Sequence, residues 1–190
     1  MLQSRPMNET QKGKKKMKKL LAMLLTLSMV LSMAVGAVTV FAETEETRVI
    51  VDSMDRSVEI PADVQRIVCV GVGALRYTCY VGGADRVVGV EDYETKPGMS
   101  RLYNYVNFDR FQDLPVTGTN GEPFVEEIIN VEPQVIVMSA YAKQDPDELS
   151  QKTGTPVVVV PGSDTTLDEK AYTTIRILGE LNGLEDRAEA

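Results

Sequence analysis

The chain has 190 residues, and 20 lysines and arginines against 28 aspartates and glutamates give it a net charge of −8. It contains no histidine, which excludes histidine-based acid–base catalysis, Ser-His-Asp triads and histidine-ligated zinc or manganese from this region. Residues 1–42 hold seven of the basic and one of the acidic residues, so residues 43–190 carry a net charge of −14, which disfavours contact with nucleic acid or anionic lipid.

The N-terminal segment has the pattern of a secretory signal peptide. Six lysines lie within residues 12–19, and residues 20–40 then form the uncharged run LLAMLLTLSMVLSMAVGAVTV. The alternative is a membrane anchor, since the run is long enough to span a bilayer. The small-x-Ala pattern Val40-Phe41-Ala42 favours cleavage after Ala42. Residues 43–190 are then long enough for one domain with its own core.

The first part of that domain predicts a hairpin followed by a strand–helix–strand unit. Two alternating runs within residues 48–61 flank Met54-Asp55-Arg56, which is typical of a β-hairpin. The apolar runs at 66–70 and 87–90 are continuous, as expected for strands buried on both faces of a parallel sheet. A predicted helix at 74–81 connects them and ends at Gly82-Gly83.

The same alternation continues to the end of the chain. Further elements are predicted as a helix at 123–130, a strand at 135–138, a helix at 146–152, a strand at 157–160 and a helix at 167–181. This order predicts an α/β domain with a mainly parallel sheet. A last helix begins at Leu184 without a stop signal before Ala190, so we expect the sequence to be truncated.

The segment 94–114 is less regular, and its aromatic residues leave two interpretations open. It contains Tyr103, Tyr105, Phe108 and Phe111 among polar residues. It forms either one or two short helices beside a ligand or a loop whose aromatic side chains cover the sheet edge. The two cysteines, Cys69 on a strand and Cys79 on a helix, are too few for a disulfide scaffold and are predicted to be buried thiols.

Candidate ligand residues follow from the rule that parallel sheets bind ligands at the carboxyl ends of their strands. The loops at those ends are 71–76, 91–93, 119–122, 139–141 and 161–164. The candidate ligand-binding residues in them are Gly73, Arg76, Glu91, Tyr93, Asn120 and Tyr141.

A dinucleotide site is the first interpretation that the turn Gly71-Val72-Gly73 suggests, and Glu91 follows at the spacing of a ribose-binding acid. Arg76 occupies the third glycine position, where a long side chain blocks helix–strand packing. The turn is therefore predicted to face a different ligand with its backbone N–H groups. Arg76 opposes the helix dipole, so it either meets an anionic ligand or is a surface arginine. Glu91-Asp92-Tyr93 could supply oxygen ligands to a metal, or be a solvated loop.

Taken together, several segments resemble the iron-complex and cobalamin binding proteins of ABC importers. They are DSMDRSVEIP, QRIVCVGVGALRYTCYVGGADRVVGVE, LPVTGTNGEPFVEEIINVEPQVIVMS, TGTPVVVV and IRILGELNGLEDRAEA. The resemblance covers residues 49–190. It implies the N-terminal lobe of a bilobal periplasmic-binding-protein-like fold, with the start of the interlobe helix and the second lobe missing.

The resemblance also implies an exported receptor at the periplasmic or extracellular face of the membrane, without catalysis or a cofactor. Its partners would be an ABC permease and a ligand bound between two lobes, which could be a ferric siderophore, haem, cobalamin or another metal chelate. The position that matches the permease-docking acid is Glu126, with Glu127 as the alternative. Competing hypotheses are a cytoplasmic enzyme of a related bilobal fold and an exported single-lobe sensor or adhesion module.

Overall fold

The structure is a computed structural model that describes residues 46–162 and 167–190, together with the single residue Lys19. The predicted signal peptide, apart from Lys19, and part of the 161–164 loop lie outside the described residues. The strands are β1 (Thr47–Val51), β2 (Ser57–Pro61), β3 (Ile67–Val70), β4 (Val87–Glu91), β5 (Val116–Thr119), β6 (Glu122–Pro123), β7 (Val135–Ser139) and β8 (Val157–Val160). The α-helices are α1 (Ala74–Val81), α2 (Leu102–Phe111), α3 (Val125–Asn130), α4 (Pro146–Thr153), α5 (Glu169–Asn182) and α6 (Glu185–Glu189), and short 3-10 helices cover Ala84–Arg86 and Asp92–Thr95.

Six strands form one sheet in the order β6-β5-β4-β3-β7-β8, while β1 and β2 form a separate hairpin. All neighbours in the six-stranded sheet are parallel except β5 and β6, which are antiparallel. The predicted α/β class, mainly parallel sheet and N-terminal hairpin are therefore confirmed. The strands β5 and β6 were missed, because VTGT alternates weakly around Gly118 and β6 has only two residues.

Both faces of the sheet are buried, as its continuous apolar runs predicted. On β3, Ile67 and Cys69 point into one core, which also contains residues of β1, β2, α1 and α5. Val68 and Val70 alternate into a second core, which is closed by Ile128 of α3 and other helical side chains. The helices therefore lie in two layers, one on each side of the sheet.

The long helix α5 ends where backbone and arginine groups satisfy its last carbonyls. Gly183 has a left-handed φ of 63° and closes the helix through its N–H to the Glu180 carbonyl at 3.1 Å. The Arg48 side chain, which comes from β1, donates to the carbonyls of Glu180 and Leu181 at 2.6 and 2.9 Å. These bonds hold the hairpin against the end of α5.

The hairpin turn is fastened to the sheet through the buried carboxylate of Asp52. One oxygen accepts the backbone N–H groups of Met54 and Arg56 at 2.9 and 3.1 Å. The other accepts the Arg56 guanidinium at 2.6 Å and the N–H of Val159 on β8 at 3.2 Å. Arg56 also forms an ion pair with the exposed carboxylate of Asp147.

The irregular segment 94–114 is mainly helical, which favours the first of its two interpretations. Helix α2 buries Phe111 fully in the core. Tyr103 packs partly against the same core, whereas Tyr105 is exposed. The aromatic residues therefore anchor one side of α2 and leave its other side in solvent.

The two cysteines are free thiols. Burial raises the pKa of Cys69 to about 12, and it also raises the pKa of Cys79 above its ordinary value. Because only the thiolate is nucleophilic, both groups are held in their unreactive form. The prediction of buried thiols is confirmed for Cys69, whereas Cys79 is only partly buried and packs against the same core.

Replacing Asp52 with alanine is expected to lower the free energy of unfolding by about 3 kcal/mol, because a buried arginine contact and several N–H groups lose their acceptor. Urea denaturation measures the change. Asp147→Ala removes an exposed carboxylate from the same arginine and should cost less than about 1 kcal/mol. Equal losses in the two variants would contradict the assigned role of Asp52.

Neither thiol should react with Ellman's reagent while the protein is folded, since burial and a raised pKa suppress the thiolate. In guanidinium chloride both thiols should react. Fast reaction of one thiol in the native protein would show that the corresponding core is open.

Candidate functional site

The site is a cavity of about 510 Å³ at the carboxyl ends of β3, β4 and β5. Parallel sheets bind ligands at this edge because the loops that follow neighbouring strands meet there. The residues that line the cavity are Val72, Gly73, Arg76, Tyr80, Glu91, Tyr93, Ser100, Arg101, Leu102, Tyr103 and Asn120.

The turn between β3 and α1 contributes the first side of the cavity. Gly71 and Gly73 have φ values of 86° and 90°, a conformation that side chains rarely adopt. A Cβ on Gly71 would also lie only 3.2 Å from the Cβ of Ser139. The glycines therefore serve a tight turn against the neighbouring loop. Arg76, in the first turn of α1, lines the cavity, and it occupies the position where a dinucleotide fingerprint needs its third glycine.

The end of β4 contributes Glu91, whose carboxyl group joins two turns of the cavity wall. Its Oε1 accepts the N–H of Gly71 and the N–H of Gly121, both at 2.9 Å. Asn120 and Gly121 form the β5–β6 turn with φ values of 48° and 76°. The side chain is only 4% exposed, so Glu91 is a buried structural acceptor and does not belong to a solvated loop.

The two guanidinium groups of the cavity have different surroundings. The Arg76 guanidinium lies 4.9 Å from the centre of the Tyr77 ring. Arg101 lies 5.2 Å from the centre of the Tyr93 ring, and it donates to the Tyr93 carbonyl at 2.9 Å and to Glu94 Oε2 at 3.1 Å. Arg101 is therefore held in place by the rim of the cavity. Both groups place positive charge beside the cavity, in a protein whose surface is strongly acidic.

Glu94 is the centre of a buried network behind that rim. Its carboxyl group accepts the Tyr103 hydroxyl at 2.6 Å, the Asn104 amide at 2.9 Å and the Arg101 guanidinium at 3.1 Å. Burial raises the pKa of Glu94 even though these bonds favour its charged form. The network joins the 3-10 helix at Asp92–Thr95 to α2 and so shapes the rim.

Two tyrosines of the cavity, Tyr93 and Tyr103, are held as protonated phenols. Burial raises the pKa of Tyr93, and the neighbouring carboxylates Glu91 and Glu94 raise it further. Burial and the bond to Glu94 likewise raise the pKa of Tyr103. A tyrosinate ligand to ferric iron requires deprotonation, which these surroundings oppose. The cavity therefore offers phenol hydroxyls and aromatic faces for binding.

The predicted oxygen group Glu91-Asp92-Tyr93 is divided among different partners. The Asp92 carboxylate accepts the Thr119 hydroxyl at 2.8 Å, whereas Glu91 accepts the backbone of two turns. Across the part of the chain that the structure describes, no group of three or more Cys, Asp or Glu side chains is arranged to hold a metal ion.

Five of the six predicted ligand residues line the cavity, and one does not. Gly73, Arg76, Glu91, Tyr93 and Asn120 are part of the wall. Tyr141 follows β7, is 47% exposed and lies outside the lining, although its backbone N–H bonds to Ser139.

Six residues of the wall were not among the named candidates, which are Val72, Tyr80, Ser100, Arg101, Leu102 and Tyr103. Val72 nevertheless lies in the predicted ligand loop 71–76, and Tyr103 lies in the segment 94–114 that one interpretation placed beside the ligand. Tyr80 could have been found, because it lies one helical turn after Arg76 on α1. Arg101 carried no comparable signal, since its place depends on how α2 packs beside β4.

The predicted docking residue Glu126 is exposed in the first turn of α3, next to the exposed Glu127. Phe124 and Ile129, which are 38% and 46% exposed, flank the two acids. The surface thus combines negative charge with exposed apolar side chains.

Within residues 46–162 and 167–190, no helix is both long and apolar enough to cross a membrane.

Solved structures of similar fold are solute-binding proteins. The chain is 26% identical to the catecholate-siderophore binding protein VctP from Vibrio cholerae, with a TM-score of 0.58 over 76% of this chain and 48% of that one. It is 26% identical to SirA from Staphylococcus aureus, solved with staphyloferrin B, with a TM-score of 0.56 over 75% and 44% of the two chains. It is 19% identical to MolA from Haemophilus influenzae, solved with molybdate, with a TM-score of 0.60 over 75% and 48%.

The chain spans less than half the length of these solved proteins. No curated protein sequence matches it significantly. A family model described as periplasmic binding protein matches residues 67–190, which is well over half of the chain. The chain therefore belongs to the periplasmic binding protein family.

Proposed function

We propose that the chain is the N-terminal lobe of an exported substrate-binding receptor of an ABC importer, and that its ligand is an anionic iron complex such as a ferric siderophore or haem, or a related metal chelate such as cobalamin. The observation that carries this proposal is the cavity, which combines two guanidinium groups with three tyrosines. Guanidinium groups recognise carboxylates and other oxygen anions through paired hydrogen bonds. Aromatic faces suit the flat, apolar parts of a chelate.

The metal is expected to arrive with its coordination sphere filled by the chelating groups of the ligand. The phenols of Tyr93 and Tyr103 are held protonated, and one of the two Glu91 carboxyl oxygens is occupied by backbone donors. The cavity thus suits recognition of the outer surface of a complex. The fold neighbours support the same class of ligand, because two of them are a catecholate-siderophore binding protein and a protein solved with staphyloferrin B.

A second lobe would complete the site in the proposed receptor. The solved neighbours are more than twice the length that this chain covers. The cavity opens at the edge of the sheet, so a second lobe facing this edge would enclose the ligand. The exposed α3 surface around Glu126 would dock on the permease, and basic groups there would complement its two acids.

The ligand class is tested by calorimetric titration of the full-length protein with ferric siderophores, haem, cobalamin and molybdate. Binding of at least one chelate with micromolar or lower Kd is expected, without turnover of the ligand. Chemical conversion of a bound ligand would instead support an enzyme, and binding of molybdate alone would overturn the chelate proposal.

Arg76→Ala should weaken binding of an anionic ferric tris-catecholate by about tenfold or more, because it removes a charged hydrogen-bond donor from the cavity. Ferric tris(acetohydroxamate), which contains the same metal but is neutral, is the control ligand and should lose much less affinity. Equal losses for the two complexes would indicate that Arg76 acts through packing.

Glu126→Ala should lower cellular uptake of the bound chelate without changing its Kd, since the side chain lies on α3 and does not line the cavity. Uptake of a radiolabelled iron complex measures the effect, and Glu127→Ala tests the neighbouring acid in the same assay. Unchanged uptake in both variants would rule out docking through this part of α3.

A further inference from the structure

The buried carboxyl group of Glu91 has one satisfied and one unsatisfied oxygen. Oε1 accepts two backbone N–H groups, from Gly71 and Gly121, whereas Oε2 is buried and has no hydrogen-bond partner among the described residues. Buried polar atoms are nearly always paired, because an unpaired acceptor loses its water without compensation. An unpaired carboxylate oxygen in the wall of a binding cavity therefore needs an explanation.

The donors around Glu91 are largely committed to other acceptors. The two nearest backbone N–H groups are used by Oε1. The Tyr103 hydroxyl donates to Glu94, and the Arg101 guanidinium donates to Glu94 and to the carbonyls of Tyr93 and Lys96. Besides burial, the charge of Glu91 and a side-chain hydrogen-bond contact with it raise the pKa of the Tyr93 hydroxyl, so this hydroxyl lies against the Glu91 carboxyl group. By distance and angle, however, no donor among the described residues, the Tyr93 hydroxyl included, forms a hydrogen bond with Oε2.

We propose that Glu91 Oε2 accepts a hydrogen bond from the ligand, so that the ligand must present a free N–H or O–H group beside its anionic groups. This inference rests on the proposed function and narrows its ligand class. Glu91 lines the same cavity as Arg76 and Arg101, so the cavity wall combines a carboxylate acceptor with two guanidinium groups. A ligand that carries both a hydrogen-bond donor and an anionic group can interact with the carboxylate and with the guanidinium groups of the cavity.

The same carboxylate selects against ligands that carry acceptors only. A deprotonated oxyanion such as molybdate, or a chelate whose outer surface has only carboxylates, would place an acceptor against Oε2. That arrangement repels the ligand, and it leaves both Oε2 and the ligand oxygen that faces it without a hydrogen bond. A site that hydrogen-bonds a polar group of its ligand strongly rejects an analogue that lacks this group. An apolar pocket discriminates much more weakly against an analogue that lacks one methylene. Glu91 would thus determine specificity, whereas the arginines supply attraction to any anion.

The test uses two ligands and one variant in a double-mutant cycle on the full-length protein. The ligands are the ferric tris complexes of 2,3-dihydroxybenzamide and of its N-methyl derivative. They have the same metal and charge, and in both one amide N–H bonds internally to the catecholate, so only the primary amide has a free N–H. The variant is Glu91→Gln, whose carbonyl can keep both backbone bonds while an NH₂ donor replaces Oε2.

Wild-type protein should bind the primary amide complex at least about tenfold more tightly than the N-methyl complex, and Glu91→Gln should reduce that ratio to about threefold or less. A preference caused by steric hindrance from the methyl group would persist in Glu91→Gln, whereas a preference caused by the hydrogen bond to Oε2 would be lost. The thermal midpoint should change little in Glu91→Gln, because the ties to Gly71 and Gly121 are kept.

Two outcomes would overturn the donor requirement alone. They are equal affinities of the wild-type protein for both complexes, and a preference that survives unchanged in Glu91→Gln. Tyr93→Phe serves as the control for an indirect effect. If the preference for the primary amide complex were lost in Tyr93→Phe but kept in Glu91→Gln, the contact would be assigned to Tyr93. Failure of the wild-type protein to bind either complex would overturn the donor requirement for catecholate ligands, whereas the proposed function would fail only if the calorimetric titration also detected no binding of the other siderophores, haem and cobalamin.

Discussion

The strands β3, β7 and β8 are buried on both faces, and the need to cover those faces places almost every other element. Parallel strands need crossover connections, and the helices of these connections supply the cover. The hairpin adds Ile50 and Ile60 to one of the two cores. With both faces closed, a ligand can reach the sheet only at an edge. The loops after β3, β4 and β5 meet at the carboxyl edge and form the cavity there.

Three buried carboxylates hold the parts of this domain together. Asp52 joins the hairpin turn to β8, Glu91 joins two glycine turns, and Glu94 joins the rim segment to α2. Each accepts at least two bonds from groups that are distant in sequence, or from the backbone of a turn. Buried carboxylates of this kind are favourable only when they are well paired. Among the described residues, Oε2 of Glu91 and Oδ1 of Asn104 are buried without a hydrogen-bond partner, and of these two residues only Glu91 lines the cavity.

The cavity separates attraction from coordination. Arginine guanidinium groups provide charge, while the raised pKa values of Tyr93 and Tyr103 keep the phenols neutral. In the receptor proposed above, such a site would bind the surface of the complex and leave the metal to the chelator. Release to a transporter would then require no ligand exchange at the metal.

The sequence alone determined the elements whose signals are local. Continuous apolar runs predicted β3, β4, β7 and β8, since a strand buried on both faces has no polar side to show. Gly82, Gly154 and Gly183 predicted helix ends, because each adopts the left-handed conformation that closes a helix. The N-terminal lysine-rich and apolar segments predict export, and this stays a prediction because they lie outside the described residues, apart from Lys19. Arg76 and Glu91 could be selected because they follow predicted strands.

Only the tertiary structure decided how those residues are used. Arg101 and Tyr103 reach the cavity because α2 packs beside the end of β4, and no spacing in the sequence encodes that contact. The strands β5 and β6 are stabilised by pairing with distant segments, so their short, glycine-interrupted pattern was uninformative. Glu91 is buried because the two turns that bind its carboxylate come together only in the folded sheet. Local patterns thus specified the elements, whereas long-range packing and hydrogen bonding specified the site.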